Sequence, residues 1–315
     1  MGKPYAEELD QLPATYRWAL TQRLDKCLLR AVASMADLPL LAVGSGGSFS
    51  SADFVASLHR THTGKVSVPM TPLAASAAGI ELRQTALVLL TAGGKNPDVL
   101  GLFRNAVLRE PRRFVVFCTT QGSPLANIAA RHAFVDVVET TLPTGRDGFL
   151  ATNSLIATGV LFARAYAEVF STPLSLPTSW SQLLEHKQNC DGQKELNGRC
   201  SPLWEKETLL VLHGPDTTAA AIDLESKFCE ASLGNVQIAD YRHFAHGRHH
   251  WLAKRAETSA LIAFVTPSDE SIAAQTIRLI PKKVPTLRLD IPWSGTVANL
   301  AALGHVLAIV GSAGI

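Results

Sequence analysis

Open α/β sheets with parallel strands, built twice along one chain of 315 residues, are what this sequence predicts. Three observations point there. Short apolar runs alternate with helical stretches. Those runs are near-continuous in their apolar character, as parallel strands covered on both faces require. The rhythm lapses over residues 171–200 and then restarts, and a lapse of that kind marks a boundary.

The expected strands of the first half are LPLLAVG (38–44), KVSVP (65–69), TALVLLTA (85–92), RFVVFCTT (113–120) and HAFVDVV (132–138). Between them lie helical stretches such as SSADFVASLHR, PDVLGLFRNAVLRE and LATNSLIATGVLFARAYAEVF. Such alternation makes right-handed crossovers. The second half repeats it with ETLLVLHG (207–214), NVQIAD (235–240), SALIAFV (259–265) and VPTLRLD (284–290). Gly44 and Gly214 stand at corresponding strand ends, so the halves read as one unit duplicated. The expected organisation is an N-terminal helical segment (1–37), a first domain (38–170), a linker (171–200) and a second domain (201–315).

Composition narrows the function. The chain is 47% hydrophobic and 18% charged, with a net charge of +2, so nucleic acid is not an expected partner. No apolar run is expected to reach the roughly 18 residues a membrane span needs. The five cysteines, Cys27, Cys118, Cys190, Cys200 and Cys229, form no CxxC pair. With no secretory leader in MGKPYAEELD, they point to a reduced, cytoplasmic protein. The apolar end ANLAALGHVLAIVGSAGI, without a polar tail, points to a truncated or naturally short version of something longer.

Two loops carry the chemistry. LAVGSGGSFSSA (41–52) leaves an apolar strand and opens a helix through alternating Gly and Ser. A dinucleotide turn is excluded, because Phe49 stands where the third glycine is needed and no acid follows about 20 residues on. A phosphate cradle fits better: serine hydroxyls stand beside the free N–H groups at a helix start. A capped turn without ligand is the plainer alternative on this stretch alone. TAGGKNPDVLGLF (91–103) repeats the device at a second strand end. Ligands in open α/β sheets gather outside the carboxyl ends of strands. The candidate ligands are therefore Ser45, Gly47, Ser48, Thr91, Gly93, Lys95 and Asn96.

The pair of loops resembles the sugar-isomerase (SIS) domain family. Gly46-Gly47-Ser48-Phe49-Ser50-Ser51-Ala52 is similar to the family's G-T-S-x-x-[SA]-[GA] loop. Thr91 to Asp98 is similar to its S-x-S-G-x-T-x-D loop, with Thr, Gly and Asn replacing Ser, Ser and Thr. Those replacements remove hydroxyls and add Lys95, a charge for the phosphate. Gly148 to Asn153 resembles a third element and adds Thr152 to the ligand set. The resemblance implies two Rossmann-like (flavodoxin-like) SIS subdomains, each a parallel sheet flanked by helices.

The second half has HGPDT where the first has its cradle. Lys227-Phe228-Cys229-Glu230-Ala231-Ser232 and His246-Gly247 match the family's K-x-x-E-x-S and His-Gly motifs, sixteen residues apart. By resemblance Glu230 is the enolisation base and His246 moves a proton at the sugar ring oxygen. A carboxylate over two adjacent carbons acts as base and then as acid, and a histidine titrates near neutrality. Alone, Glu230 reads as a solvated helix residue. His243, His246, His249 and His250 have the three-residue steps of a metal cluster, yet Gly247 interrupts the helix and no acid or thiol completes the set. A basic surface turn is the plainer reading, and neither metal nor cofactor is expected.

The implied partner is a phosphorylated sugar or aminosugar. The implied activity is an aldose–ketose isomerase, or an aminosugar-phosphate or fructosamine-phosphate deaminase or deglycase. The rival is a sugar-phosphate-binding regulatory module without turnover, because some relatives place a catalytic lysine in a C-terminal tail and none follows Lys283. Glu230 lies about 21 Å along its helix, at the end away from its own sheet's carboxyl edge. A site shared between halves or subunits, in a homodimer, is the expected consequence.

Overall fold

The computed structural model describes residues 3–185 and 192–314. The chain divides into two compact units, Met1–Ser175 and Leu176–Ile315.

In the first unit, α1 (Tyr5–Thr21) and α2 (Lys26–Met35) precede the sheet. The chain then alternates through β1 (Leu40–Val43), α3 (Gly47–Thr63), β2 (Ser67–Met70), α4 (Pro72–Ala77) and β3 (Ala86–Thr91). It continues with α5 (Pro97–Arg109), β4 (Arg113–Cys118), α6 (Pro124–Ala129), β5 (Val135–Glu139) and α7 (Asn153–Val169). All five strands are parallel, in the order β2-β1-β3-β4-β5. That is the flavodoxin-like order. Pro69 cannot donate to a ladder and sits in β2, an edge strand, where that costs least.

Both sheet faces are covered, which is why the strands are apolar throughout. On one face Leu41, Leu87, Leu89 and Val116 pack with Phe103 and Phe114. On the other, Phe117 of β4 meets Phe162 of α7 edge to face at 5.0 Å. The helices of the first face start alike: Thr71, Asn96 and Ser123 each cap a helix whose first residue is proline. The side chain satisfies free N–H groups, and proline needs none.

The second unit holds α8 (Trp180–Leu183), α9 (Gly192–Trp204), β6 (Thr208–His213), α10 (Thr218–Glu230) and β7 (Asn235–Asp240). A short α11 (Tyr241–His243) leads through a π-helical turn, Phe244–Arg248, into α12 (His250–Arg255). β8 (Ser259–Val265), α13 (Glu270–Leu279), β9 (Thr286–Asp290) and α14 (Gly295–Ala313) complete it. The four strands are parallel, ordered β7-β6-β8-β9. Within 171–200, read as a linker, lie α8 and the start of α9; residues 186–191 fall outside the described residues.

One expectation is corrected. α14 is long and apolar enough, by length and composition, to cross a membrane. The apolar end of the sequence is thus a run of the length that the sequence was expected to lack. In this fold 72% of its most apolar 18-residue window is buried. A helix apolar on all sides is stable in water only when covered.

The face of the first sheet shared by α3 and α7 buries polar groups as well. His59 of α3 is fully buried between the Leu38 carbonyl and the Tyr166 hydroxyl, each at 2.9 Å. Burial holds its pKa below the usual value. Asp53 is buried too, and burial pushes its pKa up to about 6 from the ordinary 3.8, against the opposing pull of Arg60. The folded state therefore binds this proton more tightly than the unfolded chain, so stability falls as pH rises between those two values. We expect Asp53→Asn to be about 2–3 kcal/mol more stable than the wild type at pH 7, with little difference at pH 4. Urea unfolding at the two pH values checks this; equal pH slopes for both proteins would mean that the carboxyl is hydrated.

Candidate functional site

A parallel sheet opens a crevice where successive strands leave a central strand in opposite directions. In the first unit that point lies between β1 and β3, at their carboxyl ends. Two loops meet there. After β1 the chain turns through Gly46, at φ 54° and ψ −135°, and starts α3 at Gly47. Only glycine takes that turn without strain. Gly47 is held to glycine by space: an added Cβ would lie 2.3 Å from the Cβ of Ala151, ahead of α7. After β3, the N–H of Gly94 donates to the Thr91 hydroxyl at 3.2 Å. Gly94 has φ +58°, and a Cβ there would reach 2.6 Å from the Ser123 hydroxyl.

Between these loops lies a small cleft. The first loop contributes Gly47, Ser48 and Ser51; the second contributes Thr91 and Ala92. Thr119 stands at the end of β4, and Ala151, Ser154 and Thr158 come from the start of α7. Of the sequence candidates, Gly47, Ser48 and Thr91 line this cleft. Ser45, Gly93, Lys95, Asn96 and Thr152 do not. The Asn96 side chain caps α5, accepting from the N–H groups of Asp98 and Val99 at 2.8 and 3.4 Å. Thr152 is fully buried and donates its hydroxyl to Asp147 and Glu8. Lys95 is exposed.

Sequence reasoning missed Thr119, Ser154 and Thr158 as lining residues, whereas Ser51 is one of the first loop's serines expected to supply hydroxyls. Two signals were available. Thr119 ends a buried strand as Thr91 does, and Ser154 and Thr158 are spaced i, i+4, on one helix face. Ser154 and Thr158 donate to protein acceptors, Asp147 at 2.5 Å and the Ser154 carbonyl at 2.7 Å. Among the described residues, the hydroxyls of Ser48 and Thr119 are bound to none, and they face the cleft free.

The start of α7 already holds an anion of its own. Asp147 accepts from the N–H groups of Thr152, Asn153 and Ser154 at 2.9–3.1 Å. The carboxylate thus sits where the helix N-terminus is most positive. Behind it Glu8 of α1, itself buried, accepts from the N–H of Gly148 and the Thr152 hydroxyl. Burial raises the pKa of Glu8, and the nearby Asp147 adds to that, while the Gly148 N–H opposes it.

The second unit has the same crevice, between β6 and β8. There it is filled. The carboxylate of Asp269 packs on Gly214 so closely that an added Cβ would fall 2.1 Å from its oxygen. Thr266 donates to that carboxylate at 2.7 Å, and Thr217 accepts the Gly214 N–H at 3.2 Å.

Glu230 is the last residue of α10 and exposed, with the Ser226 hydroxyl donating to it at 2.7 Å. Lys227 of the same motif is buried in an ion pair with Asp223 at 2.7 Å. It anchors the helix instead of facing solvent. His246 is exposed in the π-helical turn, beside Gly247 at φ +124°. α10 descends from the carboxyl edge to the amino edge of the sheet, and β7 climbs back. Glu230 and His246 are therefore on opposite edges, about 20 Å apart for strands of this length. The second unit by itself does not bring them together.

Two parallel α/β units, one with an open hydroxyl-lined crevice, have a counterpart among solved structures. The class they define is a tandem of two flavodoxin-like parallel α/β units. Glucosamine-6-phosphate deaminase from Thermotoga maritima superposes with a TM-score of 0.73 at 13% identity, covering 98% of this chain and 93% of that one. Tagatose-6-phosphate ketose/aldose isomerase from Escherichia coli gives 0.65 at 13%, covering 99% and 95%. The C-terminal domain of glucosamine-fructose-6-phosphate aminotransferase from Francisella tularensis gives 0.68 at 14%, covering 97% and 96%. The likeness is one of fold. No family model matches the sequence, and no curated protein matches it.

A side chain at Gly47 would overlap Ala151 on the cleft wall. We expect Gly47→Ala to destabilise the protein by about 1–3 kcal/mol through overpacking, and to abolish any thermal shift by sugar phosphates. A variant that unfolds at the wild-type temperature and keeps the shift would show that the two loops move apart without cost.

Proposed function

We propose that the chain binds a phosphorylated sugar or aminosugar with its phosphate at the crevice between β1 and β3, and moves a proton between C1 and C2 of that sugar. The observation that carries the reading is the contrast between the two crevices. One is lined by hydroxyls, and in the other the Asp269 carboxylate stands over the glycine that follows β6. Ser48, Thr91 and the backbone at Gly47 contact the phosphate. Ser45, Gly93, Lys95, Asn96 and Thr152 complete the ligand set, Asn96 by capping α5 and Thr152 by its hydrogen bonds to Asp147 and Glu8.

In this reading Glu230 takes a proton from one carbon, leaving an enediol or enediolamine, and returns it to the neighbour. His246 moves a proton at the ring oxygen so that the sugar opens. Opposite edges of one sheet cannot serve one sugar, so Glu230 and His246 come from different copies of the chain. A homodimer is the least elaborate closed assembly that achieves this. The activity is that of a cytoplasmic aldose–ketose isomerase, or of a deaminase or deglycase acting on an aminosugar or fructosamine phosphate. A second reading, a sugar-phosphate-binding module without turnover, is favoured by that same separation of Glu230 from His246.

Isotope exchange distinguishes them. In heavy water the wild type should exchange a substrate proton at C1 or C2. Glu230→Gln should lose that exchange and keep phosphate binding, because the amide keeps the shape and accepts no proton. Binding without exchange in the wild type selects the module. Exchange at the wild-type rate in Glu230→Gln makes that residue a bystander. Mixing Glu230→Gln with His246→Ala, each inactive alone, tests sharing. Statistical exchange makes half the dimers hybrids with one intact site of two, so about a quarter of wild-type activity should return. No return despite proven hybrids places both residues at one site in one copy.

A further inference from the structure

We propose that Arg146 is the cationic arm of the phosphate cleft, closing over the second loop at Gly93. The proposal rests on the sugar-phosphate reading and deepens it: the group recognised is an anionic phosphomonoester, bound through charge as well as hydroxyls.

Gly93 supplies the first observation. Its φ lies outside the left-handed region, so its backbone conformation does not demand glycine. What occupies the space above it is the Arg146 guanidinium: an added Cβ would lie 3.3 Å from an Nη atom and 3.9 Å from Cζ. The second observation is how Arg146 is carried. Gly145, at φ +75°, turns the chain, its N–H donating to the Leu142 carbonyl at 3.0 Å. Immediately after Arg146 the chain is pinned, Asp147 to the start of α7 and Gly148 to Glu8. A turn before and two anchors after direct this side chain back over the loop.

The third observation is electrostatic. The cleft itself is lined by neutral groups, and Asp147 places a negative charge one residue's reach away, on Ser154. A phosphate entering there meets a carboxylate and no cation inside the lining. Arg146 makes no ion pair among the described residues. Its fork of donors is available, and guanidinium is the group suited to two phosphate oxygens at once. Lys95 is a charge on the second loop that, like Arg146, stands outside the lining, but it lacks that fork.

The test is calorimetric, with inorganic phosphate, glucose 6-phosphate and glucosamine 6-phosphate as probes. Arg146→Ala should weaken binding by about 10- to 100-fold, the range for a charged hydrogen bond. Arg146→Lys should fall between, and Lys95→Ala should lose less than Arg146→Ala. Gly93→Val, which fills the space under the guanidinium, should weaken binding in the wild type. In the Arg146→Ala background it should add less than about 3-fold, because coupled residues are not additive. Arg146→Ala within about 3-fold of wild type, or an equal cost of Gly93→Val in both backgrounds, overturns the assignment. Thermal unfolding without ligand should be unchanged by Arg146→Ala, since the side chain is exposed. If the wild type binds inorganic phosphate and neither sugar phosphate, the sugar reading falls and Arg146 is judged on phosphate alone. If it binds no probe, both fall.

Discussion

Everything at this site depends on one constraint of parallel sheets. Strands that leave a central pair in opposite directions cannot cover the ground between their carboxyl ends with crossing helices. Each unit inherits such a gap, and the chain must either fill it or leave it for a ligand. In the second unit one side chain suffices. Asp269 drops onto Gly214, and Thr266 and Thr217 satisfy the polar groups around it. In the first unit the glycines of both loops bring backbone and hydroxyls to the rim without filling the space.

The same contrast explains why the halves differ in charge at this point. A crevice with its own carboxylate at the strand end repels an anion. The first unit has its own carboxylate nearby as well, Asp147, bound to the α7 amides and to the cleft-lining Ser154 hydroxyl. That arrangement neutralises the helix N-terminus, which would otherwise be the natural attraction for a phosphate. Attraction has to come from a side chain, and the residue preceding Asp147 is an arginine lying over the second loop.

Much of the fold was legible because buried parallel strands have a simple pattern. All nine expected strands form, within a few residues of the apolar runs, and the capping residues before Pro72, Pro97 and Pro124 are local signals. The two loops were legible for the same reason, since a Gly/Ser tract after a strand has few other uses. Contacts between distant stretches were not. Nothing around Glu8 announces that it will meet Gly148 and Thr152, 140 or more residues away. At Asn96 capping and binding draw on the same side-chain oxygen, and the capping role is visible only in the hydrogen bonds from Asp98 and Val99.

α14 shows how the strongest composition signal can mislead. Its sequence has membrane character, yet the helix is covered by other parts of the second unit, α9 and α10 among them. Hydrophobicity on all sides reports only that water is excluded, not what excludes it. The polar residues in α14 supply the missing information. Asn299, His305 and Ser312 are buried along it, and the Ser312 hydroxyl accepts a hydrogen bond from the Trp204 indole of α9 at 3.4 Å. At its start, Asp216 accepts the Gly295 N–H at 2.8 Å, binding the helix to the turn after β6. So in both units a carboxylate from the chain, Asp147 or Asp216, holds the start of the helix after the last strand. The first unit differs in adding a cation beside that carboxylate and a crevice left open in front of it.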